Sequence, residues 1–375
     1  MNSSSRIESL DVARAIALFG VVAMNFHAYL NGAQSMYPTH PSVWERLFNP
    51  LTGPLTTRFA ATFVLIAGIG VSLFTQRARE SNNRADIRHA RLVLLRRGAL
   101  LYFVGCFVQW IWPGTILFYY GAYFIIAAAV FTWSSKQLIA LGGMSITIAA
   151  SLSWWRASQL LDGNNTRWLS PSPNSPRNLL IRTFVDYTHP VFPWIVFFIV
   201  GIVLGRHIHR LTEIRLRLMF AAILLVLATH TANFLFTPAS QIAERDFVLA
   251  RLLSTQPLDR GMLFSLGTLA TAIVAVCLVS LVVEHATRTV RMRLLKRLFV
   301  KFLARAGRMT LSMYLLHVVF FNLVVHRLHW VGATGLDTAL VLSMSFYIVA
   351  LFLASEWSKH FGLGPAERFY RAFGG

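Results

Sequence analysis

Successive apolar runs approaching twenty residues constrain this chain more than any single motif does. They fall near residues 12–30, 58–76, 97–112, 116–133, 138–154, 191–205, 218–236, 261–283, 309–327 and 337–354. A helix rises about 1.5 Å per residue and a hydrocarbon core is about 30 Å thick, so runs of this kind predict membrane-spanning helices. A mean hydropathy of +0.56, with 55% hydrophobic and 13% charged residues, is too apolar for a water-soluble globule of 375 residues. The expected class is all-α, a polytopic integral membrane helical bundle of about ten transmembrane helices.

The placement of charge predicts the orientation. The formal net charge is +20, and the basic residues bunch between apolar runs rather than along one face. Arg77 to Arg97 holds seven Arg against Glu80 and Asp86, Arg206 to Arg217 four Arg against Glu213, and Glu284 to Arg308 eight Lys or Arg against one acid. Ten spans put all three on the side of the N-terminus, which the positive-inside bias makes cytoplasmic, so the chain is expected to run N-in and C-in. Basic loops of this kind face anionic lipid, and nucleic acid is not an expected partner.

Cys106 and Cys277 both lie inside apolar runs, so neither a disulfide framework nor a thiolate metal site is expected. The first run is full length and contains Arg14, which argues for a retained span rather than a processed leader. No soluble domain and no clear internal repeat stand out, and residues 1–375 read as a single membrane-embedded domain. The stretch Ser170 to Pro176, with three prolines, reads as a rigid extended or turn segment. Phosphate-binding glycine loops, His-Glu-x-x-His and Gly-x-Ser-x-Gly are absent, which removes support from ATPase and hydrolase readings.

What remains is a set of isolated polar residues. Arg14 and Asn25 are eleven positions apart, three helical turns plus about 20°, so they share one face at a separation of about 16 Å along the axis. An intramembrane Arg usually faces a protein interior or a wet cavity. The structural alternative is a rim residue that pairs with Asp11 one turn earlier. His27 points away from that face and reads as an interfacial residue. His40, in the following loop, carries the side chain best suited to general-base or nucleophilic work near neutral pH, against the alternative of an exposed loop His. His317 falls near the middle of the ninth run and must find a partner inside the bundle. Asp186 and His189 suggest an acid–His pair at the entrance of a helix, and His230 with Asn233 a packing pair. Arg96 and Arg97 open the third span, where anchoring explains them and a phosphate-bearing donor would also suit them.

Taken together, these residues resemble a family. Arg6-x-x-Ser9-Leu10-Asp11-x-x-Arg14-x-x-Ala17-x-x-Gly20 through Asn25 is similar to the first helix of the YeiB-like bacterial membrane proteins and of the heparan-alpha-glucosaminide N-acetyltransferase group. Both are placed in the transmembrane acyltransferase superfamily. The YeiB-like pattern also resembles Arg58 to Gly70, Leu95 to Gly98 with Ile116 to Tyr120, Pro190 to Arg206, and Gly307 to His317. In the glucosaminide group a His in the loop after helix one is essential, and His40, followed by Ser42 and Trp44, is its match. The related acyltransferase-three branch carries a His where this chain has Asn25, which places the chain nearer the Asn-bearing branch. Ala15 replaces the usual Gly after the Arg, and His317 stands where many YeiB-like proteins carry Gln.

The resemblance implies a membrane-bound O- or N-acyltransferase of the bacterial plasma (inner) membrane. It would move an acetyl or other acyl group from cytoplasmic acyl-CoA to a glycan or lipid-linked acceptor at the outer face. His40, Asn25 and His317 are then the expected catalytic residues, and Arg14, Arg96 and Arg97 the expected contacts for the CoA phosphates. No metal and no permanently bound cofactor are expected, acetyl-CoA or another acyl-CoA being a donor substrate. Membrane lipids surround the protein, and a homodimer is compatible with this reading. The rival is a secondary transporter of a small polar or anionic solute, with Arg14, His230 and His317 along its path.

Overall fold

The computed structural model describes residues 8–30, 40–164, 175–236, 244–288, 293–332 and 335–375, and these are helical with no strand among them. Eight segments are long and apolar enough to cross a membrane. They are α1 (Glu8–Leu30), α3 (Arg58–Ser81), α4 (Arg84–Ile111), α6 (Ser135–Leu161), α9 (Leu211–Phe236), α11 (Met262–Arg288), α13 (Thr310–Phe321) with its π-helical continuation to Arg327, and α14 (Leu336–Phe361). Two shorter apolar helices, α5 (Leu117–Val130) and α8 (Val191–Arg206), fill most of the remaining runs, so each of the ten apolar runs lies largely in a helix. The other helices are α2 (Val43–Leu47), α7 (Pro176–Phe184), α10 (Glu244–Leu252), α12 (Arg293–Gly307) and α15 (Pro365–Gly374).

The Arg-rich segments are more ordered than loops. Between α3 and α4 only Asn82 and Asn83 interrupt the helix, Asn82 at φ 47° and Asn83 capping α4 by accepting from the Ala85 N–H at 2.9 Å. Arg and Ala are good helix formers, so both helices continue well past their apolar stretches. Likewise α12 fills much of the basic segment before α13. Ser170 to Asn174 lie outside the described residues. Pro176 does not extend the chain but starts α7, its missing N–H costing nothing at the first helical position while Ser175 caps the Asn178 N–H at 3.2 Å.

The chain divides into two compact units, and the division falls within α3 and α11. A terminal unit takes Met1–Phe63 and Val274–Ala372, and a central unit takes Val64–Ile273 and Phe373–Gly375. In the terminal unit α1 packs against α12, α13 and α14, with Ala15, Leu18, Val22 and Phe26 fully buried. Phe26 lies 5.0 Å from Phe321 and 6.0 Å from Phe346 between ring centroids, and the Tyr347 hydroxyl donates to the Ala15 carbonyl. The backbones meet where α12 ends: a Cβ on Gly307 would stand 1.8 Å from the Asp11 carbonyl oxygen.

In the central unit α4 pairs with α5 and α6 with α8. A Cβ on Gly201 of α8 would stand 2.0 Å from the Leu65 carbonyl oxygen of α3, so the small residue sets that crossing. Small residues serve this purpose in membranes because lipid is as apolar as Leu and close packing supplies the drive.

The two glycine environments give a paired prediction for thermal unfolding in detergent. Gly307→Val is expected to cost about 2 kcal/mol or more, because the new side chain meets fixed backbone. Gly143→Ala, where an added Cβ meets nothing within 4 Å, should be neutral or stabilise by up to about 1 kcal/mol. Equal behaviour of the two would contradict the packing described.

Candidate functional site

The polar stripe of α1 is organised inside the terminal unit. Asp11, in the first turn, is 2% exposed and accepts from Arg14 Nη1 at 3.0 Å on one carboxylate oxygen, while Arg308 Nε stands 3.7 Å from the other. The Arg14 side chain is 24% exposed, so it is neither sunk in the core nor free in headgroups. The pairing with Asp11 considered from the sequence is therefore formed, and it is extended by a second guanidinium from beyond α12. A carboxylate this buried needs such partners, since removing one of them leaves an uncompensated charge.

Three turns further along, Asn25 meets His317. The Asn25 Nδ2 to His317 Nε2 distance is 3.2 Å, across 292 residues of sequence. His317 is fully buried, and its Nδ1 faces the Tyr314 carbonyl one turn earlier in α13. A carbonyl can only accept, so Nδ1 carries the ring proton and Nε2 is left as the acceptor for the Asn25 amide. The ring is fixed by Phe26, stacked at 6.0 Å, and by Tyr314 at 4.7 Å. The half-buried Asn25 amide has a second N–H that this bond does not use, a donor suited to an oxygen that gains negative charge.

The position of α13 is itself secured. Glu367 of α15 accepts from the Leu311 and Ser312 N–H groups at 2.7 and 3.1 Å and from the Ser312 hydroxyl. This satisfies donors that a helix start leaves open and puts a negative charge at the positive end of the helix dipole. At the other end the helix passes into the π turn Asn322–Arg327, with Asn322 Nδ2 donating to the Val318 carbonyl at 2.9 Å.

The remaining expected residues are placed differently. His40 is exposed at the bend before α2, and among the described residues no hydrogen bond joins it to Asn25 or His317. Ser42, two positions on, caps α2: its hydroxyl accepts from the Glu45 N–H at 3.2 Å while its own N–H donates to the Glu45 carboxylate at 2.6 Å. Residues 31–39, which lead to His40, lie outside the described residues. His27 is buried. Arg96 and Arg97 belong to the central unit and sit inside α4 rather than at its start, Arg96 exposed and Arg97 4.9 Å above the Phe74 ring.

Asn233 accepts from the Thr255 N–H at 3.0 Å and from its hydroxyl at 2.6 Å, tying α9 to the segment after α10, while His230 is exposed. Asp186 and His189 do not form an acid–His pair. Asp186 turns to Arg156 and Arg260, and His189 is boxed by Trp194 at 4.4 Å and Tyr119 at 5.8 Å. Burial, helped by the charge of Arg260, pushes the His189 imidazole down to about 3, so it is neutral at ordinary pH. Arg58, the first residue of α3, is buried and donates to the Thr57 hydroxyl at 3.3 Å beside a Thr57 backbone at φ 69°.

Comparison with known proteins adds two family matches. Residues 6–237 match the family described as heparan-alpha-glucosaminide N-acetyltransferase, catalytic, and residues 215–374 match a family described only as a protein of unknown function, DUF418. No curated protein matches the chain significantly. Asn25 falls in the first match and His317 in the second, so the hydrogen bond joins residues from both matched segments.

A double-mutant cycle on Asn25→Ala and His317→Ala, read by thermal unfolding in detergent, is expected to give a coupling of about 1 kcal/mol. His317→Gln should restore part of it, because the Gln side-chain oxygen can accept from the same amide. Strictly additive losses would mean that the two side chains do not meet.

Proposed function

The chain belongs to the YeiB-like family related to heparan-alpha-glucosaminide N-acetyltransferase, and on that premise we propose that it is a membrane acyltransferase. The observation that carries this reading is the match over residues 6–237, more than half of the chain. It takes in Arg14, Asn25, His40, Arg96 and Arg97. In this reading ten helices span a bacterial plasma membrane with both termini in the cytoplasm. Acyl-CoA enters from that side, and the acyl group leaves on a glycan or lipid-linked acceptor at the outer face.

The roles follow from side-chain chemistry. Guanidinium groups match phosphate oxygens in charge and in the fork of their donors, so Arg14 in the terminal unit is suited to the phosphates of CoA, and Arg96 and Arg97 in the central unit offer the same chemistry. His40 takes the proton from an acceptor hydroxyl or amine as its oxygen or nitrogen attacks the thioester carbonyl. The carbonyl oxygen becomes an oxyanion, which the second N–H of Asn25 stabilises. The C–S bond then breaks, and the CoA sulfur leaves with the proton that His40 returns. His317 is a positioning residue here: its fixed Nε2 holds one Asn25 N–H and so aims the other. The family match is to an acetyltransferase, so transfer is favoured over solute transport.

Two measurements test the proposal. Acetyl-CoA at about a hundred times its Kd should stabilise the purified protein by about 2.7 kcal/mol, whereas CoA-independent melting would remove the donor. His40→Ala should abolish transfer of labelled acetyl groups while leaving the protein folded and inserted, and retained full activity would remove His40 from the site. Mass spectrometry of lipids and cell-wall glycans from a deletion strain then identifies the acceptor by its missing acyl mark.

A further inference from the structure

The short helix α15 is placed by what it joins. It follows α14, a segment able to cross a membrane, after the link Gly362-Leu363-Gly364. Gly362, at φ 77°, ends α14, and the Trp357 indole N–H donates to the Leu363 carbonyl at 3.0 Å, which folds the link back. In the first turn of α15, Glu367 accepts from the Leu311 and Ser312 N–H groups that open α13, and the Ala366 N–H donates to the Ser312 hydroxyl at 3.1 Å. The end of one membrane-crossing segment and the start of another therefore bracket α15, which puts it at a membrane–water boundary.

Helical periodicity divides α15 into two faces. Ala366, Glu367 and Tyr370 are half-buried on the side that meets the protein. The opposite side is exposed and is itself divided. Arg368 and Arg371, about 60° apart, form one edge, and Phe369 and Phe373, about 40° apart, form the other, with Pro365 and Ala372 between them. Phe369 is 61% and Phe373 50% exposed. At the end of α14 the exposed Phe361 continues the pattern, its ring 5.6 Å from the Arg368 guanidinium, which also donates to the Phe361 carbonyl. An aromatic edge beside a basic edge suits a helix that lies in the plane of the interface, with rings at the acyl boundary and guanidiniums among the headgroups.

We propose that α15 binds anionic lipid at the membrane surface, with Phe369 and Phe373 at the acyl boundary and Arg368 and Arg371 on lipid phosphates, and that this binding holds Glu367 against the first turn of α13. A base at an anionic surface strengthens binding about fivefold, and a guanidinium matches phosphate oxygens in charge and shape. The carboxylate and the two arginines ride on one short helix, so lipid that fixes the helix also makes the cap on α13 open less often. The inference does not rest on the acyl-transfer reading, because lipid binding and amide exchange decide it.

Hydrogen exchange of the full-length protein tests it, in bilayer discs that hold a single copy. The discs are made of phosphatidylcholine alone or of equal parts phosphatidylcholine and phosphatidylglycerol. The amides of α15 are expected to exchange about tenfold more slowly in the anionic discs, and those of Leu311 and Ser312 more slowly as well. Arg371→Gln should remove about fivefold of the slowing in α15. Arg368→Gln should do the same, so either variant decides if the other fails to fold. Glu367→Ala should keep the lipid effect on α15 and lose it at Leu311 and Ser312. Equal exchange of α15 in the two kinds of disc would overturn the proposal. Slowing that appears only with two copies per disc would also overturn it, by giving the face to a second copy. Slowing of α15 with none at Leu311 and Ser312 would overturn the link to α13.

Discussion

Lipid offers no hydrogen bonds, and that single fact shapes the terminal unit. The first helix carries a carboxylate, a guanidinium and an amide among largely apolar turns, and all three find partners within the protein. Two of those partners, Arg308 and His317, come from the last quarter of the chain, and Tyr347 adds a bond to the α1 backbone. The start of the chain is thus tied to its end by polar contacts, with an aromatic cluster around Phe26 filling the space beside them. The glutamate of α15 that holds the first turn of α13 belongs to the same scheme, because it fixes the helix on which His317 rides.

This arrangement bears on how the two family matches relate. The first ends at residue 237 and the second begins at residue 215, so neither spans the whole chain. Asn25 belongs to the acetyltransferase match and its partner His317 to the other, which makes the second segment a contributor to the candidate site rather than an appendage. A helix from one segment supplies the amide, and a helix from the other fixes the direction in which that amide can donate.

Much of the fold could be read from hydropathy, since a run of apolar residues in a membrane has little choice but to be helical. The shared face of Arg14 and Asn25 could be read for the same reason, because helical periodicity alone sets it. What periodicity does not carry is the identity of a distant partner: nothing near Asn25 in sequence points to a His 292 residues away. The limits of α3 and α4 were equally hidden, because Arg, Ala and Glu favour helix whether or not a bilayer surrounds them. Asp186 and His189 show the opposite error, in which nearness in sequence suggested a pair. The backbone instead turns the carboxylate toward Arg156 and Arg260 and the ring toward Trp194.

Under the acyl-transfer proposal, the amide of Asn25, aimed by His317, is the group that meets the reacting carbonyl. A structure of the full-length protein with a non-hydrolysable acetyl-CoA analogue, whose sulfur is replaced by a methylene, tests it most directly. The analogue's carbonyl oxygen is expected at hydrogen-bond distance from Asn25 Nδ2, with the bond to His317 intact. An analogue bound with its carbonyl away from α1, beside an unchanged Asn25–His317 pair, would contradict it.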